Sequence, residues 1–408
     1  MAQQIALGVD IGTSHTKLVA GYVDSSDTLN VIAHVSGPSE GVKKGSIANL
    51  EAASECVSVV LDEFKRQCEV RPDICLSSID GTSIKSTNGS GSVAIEGSGL
   101  VSETDVRRAI DASAALTLKS SDAVLHLIPR AFTLDDYSGI ESPLGMIGSR
   151  LSVDTHIMIV SQAAASSRVR AFDRARLRVA GLVAHGIASA EGVLGNDERD
   201  LGVCLVDIGA GTTNLVVYKG SGIVHSSTIA LGGANITNDL AIGLGIHFSA
   251  AEKLKITLSD LSRFDNADQE MFADIDLARS LSDADLSHVG DIVKARLSEI
   301  FELIVSDLRD AGVHRHIPAG LVITGGTANI VGLAQFASEV TGYRCTCATP
   351  RRVLRSVNVS AKPEYSSAAG LVRIAFSDEA LSTVREIDTT QPRGLARRAR
   401  SVVRRLLS

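Results

Sequence analysis

Two short stretches of this chain carry the same chemistry-bearing residues in the same order. "VDIGTSHTKLVA" begins at Val9 and "VDIGAGTTNLVV" at Val206, so Asp10, Gly12, Thr16, Leu18 and Val19 recur as Asp207, Gly209, Thr213, Leu215 and Val216. Each stretch reads as an apolar strand, a tight glycine turn and a second strand. Glycine at the turn lets backbone N–H groups close on an anion. Thr13, Ser14, Thr212 and Thr213 add hydroxyl donors beside Gly12, Gly209 and Gly211. A carboxylate ending each first strand, Asp10 or Asp207, can hold a hydrated Mg²⁺ through water between the two turns. Two such hairpins face to face make a clamp for a polyphosphate and its metal. Neither GxxxxGK[ST] nor GxGxxG occurs here, so the chemistry is not that of a P-loop or a Rossmann turn.

A third glycine element lies in "AGLVITGGTANIVGLAQFASEVTG". It reads as a strand over 321–324, a turn at Gly325, Gly326 and Thr327, and a helix starting near Asn329. Paired glycines and the free N–H groups of a helix start suit a nucleotide's close approach.

The elements that must position these turns need a long chain, and 408 residues suffice for two or three domains. Hydrophobic residues make up 44% and charged residues 21%, the balance of a globular protein rather than a disordered one. No apolar run reaches the length of a spanning helix, and "MAQQIALGVDIG" reads as a first strand rather than a leader. A net charge of −7 argues against a protein that coats nucleic acid. The six cysteines show no metal-binding or redox spacing and read as thiols in a reducing compartment. The wide separation of the repeated hairpins points to two related α/β domains, with helices alternating with strands throughout.

The acidic chain nevertheless ends in "GLARRARSVVRRLLS". At about 100° per residue, Leu395, Ala396, Ala399, Val402, Val403, Leu406 and Leu407 share one face. Arg397, Arg398, Arg400, Arg404 and Arg405 fill the other. A helix docked on the body needs no arginine stripe, and a nucleic-acid tail needs no apolar one. A helix lying on an anionic membrane needs both. Residues 377–392 before it are polar, end in Pro392 and read as a linker.

At its three glycine elements the chain resembles the actin, Hsp70 and sugar-kinase ATPase superfamily. More closely it resembles the FtsA family of bacterial actin-like cell-division proteins. "VLHLIPRAFTLDDYSGIESPLGMIGSRLSVDTHI", "DERDLGVCLVDIGAGTTNLVVY" and "PEYSSAAGLVR" carry that likeness, which runs over nearly the whole chain. The resemblance implies an α/β, actin-like fold of two RNase H-like domains around a nucleotide cleft, with an insertion subdomain called 1C. On that pattern 1–80 and 161–194 form subdomain 1A and 81–160 form 1C. Residues 195–240 and 320–376 form 2A, 241–319 form 2B, and 393–408 are the amphipathic membrane helix. The Gly- and Ser-rich opening of 1C, "DGTSIKSTNGSGSVAIEGSG", reads as loops joining short strands.

The same resemblance implies ATP or ADP with Mg²⁺ as ligands, and places Glu252 and Lys255 of "SAAEKLK" near the ribose and base. It implies self-assembly into filaments, other division proteins on 1C, and no nucleic acid. It also implies tethering of the C-terminal peptide of FtsZ to the cytoplasmic face of the inner membrane at the division site. In that family the peptide docks on 2B. "DIVKARLSEIFELIVSDL" resembles the matching helix, with Arg296 as the first candidate contact and Arg279 as the second.

Two departures stand out. Ala210 sits where DIGGGT is usual in the family, and "AHGIASAEGVL" lacks the Glu or Gln that positions water in active ATPases of the superfamily. His185 there reads as a base or as a structural residue. Nucleotide binding with slow or no hydrolysis is the expectation. A small-molecule kinase of the same superfamily and a pilus-assembly actin-like ATPase are the alternatives.

Overall fold

The computed structural model describes residues 3–114, 119–220, 222–257, 260–261, 283–354, 362–377 and 380. The chain opens with an antiparallel meander of β1 (Ala6–Ile11), β2 (His15–Val23) and β3 (Leu29–Pro38), then a small hairpin of β4 (Val42–Lys43) and β5 (Ser46–Ile47). Helix α1 (Leu50–Gln67) starts where the Asn49 side chain accepts the N–H groups of Glu51 and Ala52. It lays Ala53, Val57, Val60, Leu61 and Phe64 into the core. Strand β6 (Ile74–Ile79) then returns parallel to β1.

An inserted unit follows: β7 (Lys85–Ala94), α2 (Glu103–Ala114), β8 (Asp122–Leu134), β9 (Tyr137–Ile140) and β10 (Arg150–Ser161). It is a four-stranded sheet ordered β7-β10-β8-β9 with its own core. Ser102 and Asp105 cap α2 reciprocally, side chain to backbone in both directions. The Gly- and Ser-rich stretch read as loops is largely this long first strand. Its small residues serve packing, because a Cβ on Gly91 would stand 2.1 Å from the Ala109 carbonyl of α2.

Helix α3 (Gln162–Arg174) leads to β11 (Gly181–Ala184), parallel to β6, then to α4 (His185–Val193) and α5 (Asn196–Leu201). The pattern then repeats. Strands β12 (Val203–Ile208), β13 (Thr213–Lys219) and β14 (Gly222–Ile229) form a second meander. Helices α6 (Gly233–Gly243), α7 (Phe248–Thr257) and α8 (Asp283–Asp310) precede β15 (Leu321–Thr324), α9 (Leu333–Thr341) and β16 (Cys345–Cys347). The order β11-β6-β1-β2-β3 in one sheet matches β16-β15-β12-β13-β14 in the other, with the same parallel and antiparallel pairings.

The chain ends its described course with β17 (Val353–Leu354), parallel to β3, and α10 (Ser366–Phe376). Helix α10 packs on β1, β2 and β6 of the first sheet, whereas α4 packs on β12 and β13 of the second. The last stretch of 320–376, grouped from sequence with the second lobe, therefore lies on the first. Residues 185–193, grouped with the first, touch β12 and β13 of the second sheet as well as β6 and β11 of the first. The reason is burial: each helix covers the apolar face of the sheet across the hinge, and together they build one core between the lobes. They cross closely, since a Cβ on Gly370 would stand 1.7 Å from the Ala188 carbonyl.

The insert also rests on the second lobe. Ser86 donates to the Ser226 carbonyl at 2.6 Å and Asn88 to the Val224 carbonyl at 3.1 Å. Buried His156 bridges Asn88 Oδ1 and Ser226 Oγ, both at 2.8 Å. Burial, and then the charges of His225, Arg130 and His126, push His156 down from 6.5 to about 3. It is neutral in the folded chain and takes a proton on unfolding. Its contribution is therefore whole above about pH 6.5 and is lost progressively down to about pH 3, on the order of a few kcal/mol in all. Urea unfolding at stepped pH should show this loss, and His156→Gln should flatten that acid slope.

Candidate functional site

The two repeated turns have the same geometry. Gly12 N–H donates to the His15 carbonyl at 3.0 Å, and Gly209 N–H to the Thr212 carbonyl at 2.9 Å. Asp10 pairs in register with Lys17 and Asp207 with Asn214, so each carboxylate ends its strand at the same point. Both turns open onto one cleft of about 490 Å³ between the lobes. Asp10, Gly12, Thr13, Ser14, Asp207, Gly209, Gly211, Thr212, Glu252, Lys255, Gly325, Gly326 and Thr327 all line it.

Thr213 is the exception. It is fully buried, and its hydroxyl donates to the Leu231 carbonyl at 2.9 Å. Successive strand residues face opposite ways, so Thr212 reaches the cleft and Thr213 cannot. Its counterpart Thr16 is likewise buried, bonded to Ser39. The repeated threonine fastens each hairpin internally.

The third glycine element differs from expectation at its helix. A short 3₁₀ turn over Gly326–Asn329 follows β15, and α9 begins only at Leu333. Gly325 takes φ +86, and a Cβ there would stand 2.3 Å from Asp207 Oδ1. Glycine is what lets this turn lie against the carboxylate. Glu252 and Lys255 form a 2.7 Å ion pair on α7, and the lysine also donates to the Gly233 carbonyl at 3.1 Å. Ala210 has an ordinary negative φ, so its replacement of the family glycine strains nothing.

His185 starts α4 between the two carboxylates, Nδ1 at 3.2 Å from Asp10 Oδ1 and Nε2 at 3.1 Å from Asp207 Oδ2. Burial alone would lower its pKa, but Asp207 and Asp10 together raise it well above 6.5. Burial likewise works to raise Asp10, yet His185, Lys17 at 4.0 Å and the Ser78 hydroxyl at 2.6 Å hold its carboxyl far below the usual range. Both ring nitrogens of His185 are engaged by the two acids, so the imidazole is held as part of the carboxylate network. Ser189 adds a 2.5 Å bond to Asp207. Among the described residues no group of three His, Cys, Asp or Glu side chains could cage a metal. Two carboxylates at the cleft floor fit a Mg²⁺ held through water, with a ligand's phosphates completing its shell.

The lobes touch beside the turns. Thr212 of the second lobe donates to Asp80 Oδ2 of the first at 2.5 Å, and within the first lobe Gly45 N–H donates to Thr13 Oγ1 at 3.0 Å. Sequence reasoning missed Asp80, Lys17, Ser78 and Ser189. Asp80 directly follows a recognised strand and Lys17 lies in the strand after the first turn, which was the available signal. Elsewhere, Arg296 on α8 forms a bidentate pair with Asp239 of α6 at 2.6 and 3.0 Å, and also binds Glu299. It does not line the cleft. Arg279 and the tail residues Leu395, Arg397, Arg398, Val402, Arg404, Arg405, Leu406 and Leu407 lie outside the described residues.

Two matched lobes, paired hairpins and a cleft between them define the actin-like class. Solved structures agree on the fold. A PilM–PilN type IV pilus biogenesis complex superposes with a TM-score of 0.66 at 18% identity, covering 91% of this chain and 98% of that one. MreB5 of Spiroplasma citri bound to ADP gives 0.51 at 14% identity, covering 91% and 96%. Sequence relatives go further. Cell division protein FtsA of Pseudomonas aeruginosa is 31% identical over 370 residues, covering 90% of this chain and 88% of that protein. FtsA of Escherichia coli is 30% identical over 381 residues, covering 91% and 90%. The FtsA family model matches 204–370, and the model of the SHS2 domain inserted in FtsA matches 81–159. The chain belongs to the FtsA family of cell division proteins.

Proposed function

We propose that this chain binds ATP or ADP with Mg²⁺ in the cleft, assembles with copies of itself and tethers FtsZ to the inner face of the cytoplasmic membrane at the division site. The observation carrying the nucleotide part is the convergence of two equivalent glycine turns and their carboxylates on one cleft. Gly12, Thr13, Ser14, Gly209, Gly211 and Thr212 offer N–H and hydroxyl groups to phosphates, and Glu252 and Lys255 face the ribose and base. Asp10 and Asp207 would hold Mg²⁺ through water, and the ion would neutralise phosphate charge. With both ring nitrogens of His185 engaged by Asp10 and Asp207 and no Glu or Gln at the start of α4, turnover would be slow and the nucleotide would set conformation.

The arginine and leucine stripes of 393–408 support membrane attachment, with 377–392 as tether. The FtsZ peptide docks on the 2B region, with α8 as its seat. There Arg296 would share its guanidinium between Asp239 and the peptide, with Arg279 as second contact. The inserted sheet of 81–160 receives other division proteins. The test is recruitment: with ATP, the full chain should carry FtsZ into the pellet with anionic vesicles. FtsZ lacking its C-terminal peptide should stay behind. FtsZ remaining in solution while the chain itself pellets would overturn the tether.

A further inference from the structure

Arg168 is the largest of the fully buried side chains, 1% exposed, on the helix α3 that directly follows the insert. Among the described residues no carboxylate pairs with it. Both of its recorded bonds go to neutral backbone carbonyls: Ile11 at 3.0 Å and Gly45 at 2.8 Å. Burying an arginine without an ion-pair partner is costly, and fold alone gives little reason to retain it. Its two partners explain it. Ile11 is the residue between Asp10 and the Gly12 turn. Gly45 lies in the β4–β5 turn, where Lys44 (φ +46) and Gly45 (φ +74) both adopt the left-handed region that a two-residue hairpin requires. The N–H of that same glycine holds Thr13 Oγ1. One guanidinium therefore fixes both sides of the first turn, with Asp10 and Asp80 near enough to feel its charge.

We propose that Arg168 is the positioning residue of the first phosphate-binding turn, holding Gly12 and Thr13 in place while lending buried positive charge to the bound phosphates. This rests on the nucleotide reading of the cleft. A guanidinium buried behind the turn is stabilised further by an anion bound in front of it. The dependence on phosphate number follows: more negative charge on the ligand gains more from Arg168.

The test compares ATP, ADP and adenosine binding by calorimetry, with Mg²⁺, for the full chain and for Arg168→Met and Arg168→Lys. Losing a charged hydrogen-bonding group predicts ATP affinity about ten- to a hundredfold weaker in Arg168→Met. Adenosine should be affected far less. Arg168→Lys keeps the charge but cannot span two carbonyls, so it should fall between. Circular dichroism establishes that each variant is folded. If Arg168→Met does not fold, the lysine variant decides by its ATP-to-adenosine ratio. Equal losses for ATP and adenosine, or wild-type affinity for ATP in a folded variant, would overturn the positioning role and leave the nucleotide reading intact. A wild-type chain that binds neither ATP nor ADP would overturn both.

Discussion

Ending the chain at Pro392 should remove it from anionic vesicles almost completely while leaving its fold and its nucleotide cleft unchanged. The segment lost holds six arginines, and at helical spacing five of them would share one face with leucine and valine on the other. Each arginine near an anionic leaflet contributes up to about 1 kcal/mol, so six account for at most about four orders of magnitude in partitioning. No Trp or Phe lies in the segment, so its apolar side should insert shallowly and a single copy should hold weakly. An assembly presenting many copies binds by avidity, so the full chain should pellet more strongly with ATP if nucleotide drives assembly. Co-sedimentation with anionic and neutral vesicles measures this directly, and the anionic preference should fade as salt rises. If the full chain and its truncation both stayed in solution with ATP, the arginine stripe would be a protein-docking element and the anchoring role would fall.

Adjacent glycines should respond in opposite ways to the same methyl group. Gly325→Ala places a Cβ 2.3 Å from Asp207 Oδ1 and 2.6 Å from the Ile208 carbonyl, at a φ that alanine rarely adopts. Backbone strain and displacement of the second carboxylate together should cost roughly 2–4 kcal/mol of stability. Nucleotide affinity should fall in whatever fraction still folds. Gly326→Ala meets open space and should change stability by no more than about 0.5 kcal/mol. Thermal unfolding with and without ADP distinguishes the two. Equal behaviour would mean that the turn does not depend on its contact with Asp207.

Much of this site was legible because its parts are local. A strand, a glycine turn and a strand are contiguous in sequence, and the duplication at Val9 and Val206 exposed the pair. The cleft could be expected once the two copies were seen to need each other. What escaped lay between segments. Asp80 matters through Thr212, in the other lobe, and Arg168 through carbonyls that no side-chain pattern encodes. His185 was visible but its state was not, because its charge depends on two carboxylates distant from it in sequence. Thr213 was misread because hydroxyl chemistry was counted without the alternation of the strand that carries it. The glycines of β7 look like loop residues until α2 is laid across them. The destination of α10 was hidden for the same reason: a helix's apolar face says that it must be covered, not by which sheet.

That destination has a consequence of its own. The first lobe sends α4 onto its neighbour's sheet and the second sends α10 back, so the two halves trade a helix and share the core beneath it. Neither half is a self-sufficient folding unit, because cutting between them bares two sheet faces at once. The chain is an interlaced pair whose halves share a packed apolar pivot. This makes the pivot a mechanical joint: load applied across it is borne by buried core rather than by a strip of linker.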